Sequence, residues 1–178
     1  MGNEIKNKSS NEFNTISVRE LYYMQLPENK QVISGLLFQG VTILAGSGKI
    51  GKSFAVLFIC MSVSNGLEIW NRKTLKGTTL YLALEDNLSR IQNRIDKIVE
   101  GTGIALPENM YIATMSRSIK SGLEEQIHSF MASHQDTVLI VIDTFQKIRN
   151  NLNDRSSNIY ALDYEEMSVL KTLADKYY

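Results

Sequence analysis

Eight consecutive residues, Gly46, Ser47, Gly48, Lys49, Ile50, Gly51, Lys52 and Ser53, have the types and spacing of a phosphate-holding loop. Gly46, Gly48 and Gly51 satisfy G-x-G-x-x-G, the spacing of a dinucleotide-binding turn. Gly46, Gly51, Lys52 and Ser53 satisfy G-x-x-x-x-G-K-[ST], the spacing of a P-loop that cradles a nucleoside triphosphate. In both, a strand runs into a tight glycine turn and a helix begins with its N-terminus aimed at phosphate. The backbone is shared, so the side chains must decide.

Lys52 and Ser53 follow Gly51 directly. A P-loop needs both, an ammonium for the β- and γ-phosphates and a hydroxyl for Mg²⁺, whereas a dinucleotide turn has no use for either there. A dinucleotide unit also wants an acidic residue about 20 positions on, to hold a ribose. The acidic pair that ends the next strand, Glu85 and Asp86, comes too late for that. Further along, "VLIVIDT" is an apolar strand ending in Asp143, a Walker B pattern that delivers a carboxylate to a Mg²⁺ shell. The P-loop reading wins, with Ser53 and Asp143 as metal-side residues. Gly48 is then a permissive loop position, and Lys49 a solvent-exposed one.

Hydrolysis needs a group that orients or deprotonates water. Thr144 follows Asp143, so no carboxylate sits beside it. Glu85, at the end of "LYLALED", is the candidate, leaving a strand at the same sheet edge. Asp86 precedes the next helix and is expected to cap it.

Other elements must hold these groups. "VTILA" reads as the strand entering the loop and "KSFAVLFICMSVSN" as the helix leaving it, closed by Gly66. "TTLYLALE", "MYIAT" and "TVLIVIDT" read as further strands. "NLSRIQNRIDKIVE", with Leu88, Ile91, Ile95 and Ile98 on one face and closure at Gly101, reads as a helix, as do "GLEEQIHSFMASH" and "NIYALDYEEMSVLKTLADKYY". Near-continuous apolar strands alternating with helices predict an α/β fold, a parallel sheet with helices on both faces. Ahead of it come an arm over residues 1–16, polar and disordered in expectation, and "SVRELYYMQL", a short helix with Ser17 as N-cap and Pro27 after it. "QVISGLLFQG" suggests a short strand and a turn at Gly40. The domain proper is expected over residues 17–178.

Composition excludes several classes. The 178 residues carry zero formal net charge, so no global field draws the chain onto nucleic acid. A single cysteine, Cys60, cannot build an internal disulfide framework; it reads as a buried core residue of a cytoplasmic protein. No apolar run is long enough to span a bilayer, and the polar start lacks a signal core. Trp70 is expected to pack a loop against the core. His128 and His134 lack a second ligand at metal spacing.

"VTILAGSGKIGKSFA", "LYLALED" with "RIQNRI" after it, and "VLIVIDTFQKIR" followed by "DYEEMSVLKTLAD" together resemble the RecA-like ATPases of the AAA_25 type. That group includes plasmid and phage replicative helicases and related DNA-replication ATPases. The resemblance implies a three-layer α/β/α fold, ATP and Mg²⁺ as ligands, Lys52 and Ser53 on phosphate and metal, Asp143 in the Walker B role, Glu85 as catalytic glutamate, and assembly into a homo-oligomeric ring. It also implies a strand after the last helix, between the Walker B and P-loop strands. The sequence ends at "LADKYY", so the sheet is expected to lack its C-terminal strands, with Tyr177 and Tyr178 exposed.

Lys147, Arg149 and Arg155 follow Asp143 in an Asn-rich stretch where such rings touch single-stranded DNA. A solvated loop is the plainer reading, as a solvated helix face is for Arg90 and Arg94. Two functions stay open: an ATP-driven, helicase-like enzyme of DNA replication or recombination, and a nucleotide-binding regulatory module or inactive fragment without useful turnover.

Overall fold

A computed structural model describes residues 13–26, 30–149 and 159–177. Three parallel strands organise it: β3 (Thr78–Ala83), β4 (Met110–Ala113) and β5 (Thr137–Asp143), in the order β4-β3-β5. An antiparallel hairpin, β1 (Gln31–Ile33) and β2 (Leu37–Phe38), precedes them. The central strand β3 is buried along its whole length. Its two threonines survive burial because each hydroxyl has a partner, Asp136 for Thr78 and Ser64 for Thr79, both at 2.8 Å.

Successive β3 residues serve two cores. Tyr81 and Ala83 join Leu57, Cys60 and Met61 of α2 (Lys52–Asn65) and Ile91 and Ile98 of α3 (Leu88–Thr102). Leu80 and Leu82 join Leu123, Ile127 and Met131 of α4 (Leu123–Ser133), Ile148 of α5 (Phe145–Ile148) and Leu173 of α6 (Ile159–Tyr177). Helices therefore cover both faces, as the apolar strands require. The chain leaves β3 for β4 through α3, then passes back beyond β3 to β5 through α4. The two crossovers run in opposite directions, so crossovers of one hand put their helices on opposite faces.

Several local expectations need correction. Residues 41–45 form no strand and are exposed. A strand exists only through its ladder, and no ladder joins 41–45 to the edge of β5, which pairs with β3 alone among the described residues. For the same reason β5 is only half-buried after Thr137. The chain bends at Gly40, φ 111°, as expected, but the stretch before it is a two-stranded hairpin whose turn falls at Gly35, φ 65°. Helix α3 runs through Gly101 and closes at Gly103, while Leu88 is 68% exposed and off the apolar face. Trp70 is 59% exposed and packs into no core.

The α1 helix (Val18–Tyr23) starts at Ser17 as read, with Glu20 completing a capping box, and buries no residue. Cys60 is buried and Gly66 closes α2 in the left-handed conformation, both as read. Tyr177 is half-buried against the α4–α6 core and hydrogen-bonds His128, so it is not the exposed aromatic expected. Pro27, Arg155, Tyr178 and all but the last residues of the arm lie outside the described residues.

Candidate functional site

The direction of α2 sets the site. Ser64, near its C-terminus, hydrogen-bonds Thr79 at the start of β3, while Leu57 and Cys60 pack on Tyr81 and Ala83 further along. The helix thus runs antiparallel to β3, and its N-terminal Lys52 comes to the sheet edge where the strands end. Parallel register pairs Ala83 with Asp143 at that edge, and Glu85 lies two residues beyond Ala83. The fold so brings the 46–53 loop, Glu85 and Asp143 to one edge of the sheet.

The loop geometry follows from its residues. Gly51 takes φ 94°, a conformation that an L side chain resists, and α2 has no side-chain cap. Its first N–H groups are therefore left for an anion. A Cβ on Gly46 would meet Ile50 Cδ1 at 2.6 Å, whereas one on Gly48 would meet nothing within 4 Å. The Lys52 ammonium donates to the carbonyls of Gly46 (2.9 Å) and Ser47 (2.8 Å), holding the loop curled around it. Lys49, φ 65°, is exposed as read.

Glu85 is exposed at the edge. Asp86 does not cap α3. Asn87 does, accepting from the Arg90 N–H at 2.9 Å, because the cap-to-third-residue spacing starts one position later. Asp86, its side chain 9% exposed, instead forms a close ion pair with Arg94 and a looser one, 3.8 Å, with Arg90. Arg94 is accordingly not a solvated residue.

Sequence reasoning missed Tyr81. It is fully buried and donates its hydroxyl to Asp143 Oδ2 at 2.7 Å. Burial first, and then the hydrogen bond to Asp143, hold its ionisation far above the usual tyrosine range. The signal was present: a tyrosine inside an apolar strand needs a partner for its hydroxyl.

Of the three basic residues after Asp143, Lys147 is exposed. Arg149 turns inward, its side chain 10% exposed, pairing with buried Glu166 at 2.8 Å and lying over the Phe145 ring. A guanidinium committed to a buried carboxylate does not present itself to a phosphate.

A divalent cation is implied by the loop pattern, and the donors fit Mg²⁺. Ser53 Oγ and Asp143 Oδ1 are hard oxygens that make no hydrogen bond among the described residues. No group of three or more His, Cys, Asp or Glu that could hold a metal occurs among those residues. Mg²⁺ needs no such cage, since one or two protein oxygens, water and phosphate complete its shell.

A model of the AAA_25 family, described as an AAA domain, matches residues 8–175. The chain belongs to this family of AAA domains. No curated protein and no solved structure matches it. The α/β architecture with a three-stranded parallel sheet fits the P-loop nucleotide-binding ATPase fold of such domains. No helix of this AAA domain, among the described residues, is long and apolar enough to cross a membrane.

Proposed function

We propose that this AAA domain binds ATP with Mg²⁺ in the 46–53 loop and hydrolyses it, as a RecA-like, helicase-like ATPase of DNA replication or recombination acting in a homo-oligomeric ring. One observation carries the chemistry: the loop, Glu85 and Asp143 share a sheet edge because α2 runs antiparallel to β3 and β5 pairs with β3 in parallel register. The Gly46–Ser53 backbone and the α2 N-terminus would wrap the phosphates, and Lys52 would neutralise the β- and γ-phosphates. Ser53 and Asp143 would hold Mg²⁺, which neutralises charge developing on the transferred phosphoryl group. Glu85, exposed at that edge, would orient and deprotonate the attacking water.

The part played by DNA rests on the resemblance of the sequence motifs to DNA-replication ATPases and on exposed Lys147. The inward turn of Arg149 favours a second reading, a nucleotide-binding module whose ATP state controls a partner protein. Thermal melts with and without Mg-ATP, on the wild type and on Lys52→Ala, test the common core. Ligand at a hundredfold excess over Kd stabilises the folded state by about 2.7 kcal/mol. The wild-type rise should vanish in Lys52→Ala, and a rise equal in both would refute the site. Turnover stimulated by single-stranded DNA would favour the enzyme, and binding without turnover the module.

A further inference from the structure

The Tyr81 ring is packed among Leu57, Cys60, Met61 and Ile91, yet its hydroxyl emerges at the functional edge of the sheet. It stands on β3 two residues before Ala83, the cross-strand neighbour of Asp143. Its 2.7 Å hydrogen bond therefore spans the β3–β5 pair and fixes one carboxylate oxygen, Oδ2. The other, Oδ1, accepts nothing from the described residues. A carboxylate's last torsion is soft, so without a donor the two oxygens would exchange and sweep a range of directions.

We infer that Tyr81 is a positioning residue for Asp143: by holding Oδ2 it keeps Oδ1 as the oxygen offered to the nucleotide's divalent cation. The inference rests on the ATP and Mg²⁺ reading above. A phenylalanine would fill the same space without burying a hydroxyl, so core packing alone does not account for the tyrosine. A tyrosine hydroxyl is protonated throughout the neutral range, and hence a donor. The neighbouring carboxylate, Asp86, is committed to an ion pair with Arg94.

The test uses the full chain and a fluorescent ATP analogue, titrated in Mg²⁺ and again in EDTA, on the wild type and on Tyr81→Phe. Removing a group that orients a metal ligand weakens metal affinity by about tenfold or more. Tyr81→Phe should bind the analogue like the wild type in EDTA and lose about tenfold of the Mg²⁺-dependent gain. An unchanged Mg²⁺ gain overturns the inference while leaving the ATP reading intact. A wild type that binds the analogue in neither buffer overturns the ATP reading, and this inference with it. Should Tyr81→Phe not fold, fluorotyrosine placed at position 81 keeps the hydroxyl. Its fluorine resonance should move when Mg²⁺ joins the nucleotide-bound protein, and a stationary resonance overturns the inference.

Discussion

Ser64 and Thr79 face each other between α2 and β3 with their hydroxyl oxygens 2.8 Å apart, both residues buried. This contact sets how far α2 slides along the sheet, and so where Lys52 arrives at the other end. The other neighbours of the Thr79 hydroxyl are the Cys60 carbonyl, at 3.5 Å too long to replace the first, and the Cys60 thiol, a weak hydrogen-bonding group. Ser64→Ala should therefore cost about 1–3 kcal/mol, the penalty of a buried hydroxyl left without a partner. Adding Thr79→Val removes the stranded group, and the double variant should recover part of the loss. Urea denaturation of the four proteins checks this; additive losses would mean the hydroxyls act independently.

Gly51 holds the turn that lets α2 begin beneath a phosphate. At φ 94° a Cβ is strained whatever space surrounds it, and nothing lies within 4 Å of one. Gly51→Ala should then cost about 1–2 kcal/mol through backbone strain alone. Gly48, with no positive φ and no close neighbour, should accept alanine with little loss of stability. Melting temperatures of the two variants separate conformational need from crowding. Equal losses would show that the loop tolerates neither for another reason.

The legible parts of this protein are those whose physics is local or periodic. Strands β3 and β5 show as apolar runs, α3 as a turn-spaced apolar stripe, and α2 as an apolar run too long for a strand and closed by Gly66. The loop is readable because its chemistry lies in eight adjacent residues. The misread features depend on partners far away in sequence. Residues 41–45 have strand composition, but composition does not say whether a neighbouring strand is present. Tyr81 and Asp143 meet across 62 positions, through a register invisible in either segment. Arg149 is captured by Glu166 from another helix. Asp86 and Asn87 differ as caps by one residue, finer than boundary reading allows.

The Arg149–Glu166 pair ties the turn after β5 to α6. Its side chains are 10% and 4% exposed, so removing one partner takes a close charge-assisted contact away from a buried charge. Arg149→Ala should lower stability by about 3–5 kcal/mol, while Arg149→Met with Glu166→Leu should lie much closer to the wild type. Denaturant midpoints check both. A mild effect of Arg149→Ala alone would mean that the other contacts of Glu166, or water, suffice to hold its charge.

Glu85→Gln keeps size and hydrogen-bonding capacity but removes the base. If Glu85 activates water, the variant should keep the Mg-ATP melting shift and lose about 10²- to 10⁴-fold in turnover. Because Glu85 is exposed, little stability should change. Measuring released phosphate beside the melt distinguishes a catalytic role from a binding one. Loss of the shift itself would assign Glu85 to nucleotide binding.

Cys60 predicts an alkaline weakness. Burial raises its thiol from an ordinary value of 9.0 to about 12, opposed only by a hydrogen bond with Thr79. Above about pH 9 the unfolded chain releases the proton while the folded chain keeps it, so ionisation favours unfolding. The contribution is complete below pH 9 and drains away as pH rises toward 12. Cys60→Ala cannot ionise there, so its stability should fall less steeply than the wild type's across that window, whatever its starting value. Urea denaturation of both proteins at stepped alkaline pH gives the two slopes. Parallel slopes would show that the thiol ionises equally in both states, and that α2 opens around Cys60 before the domain unfolds.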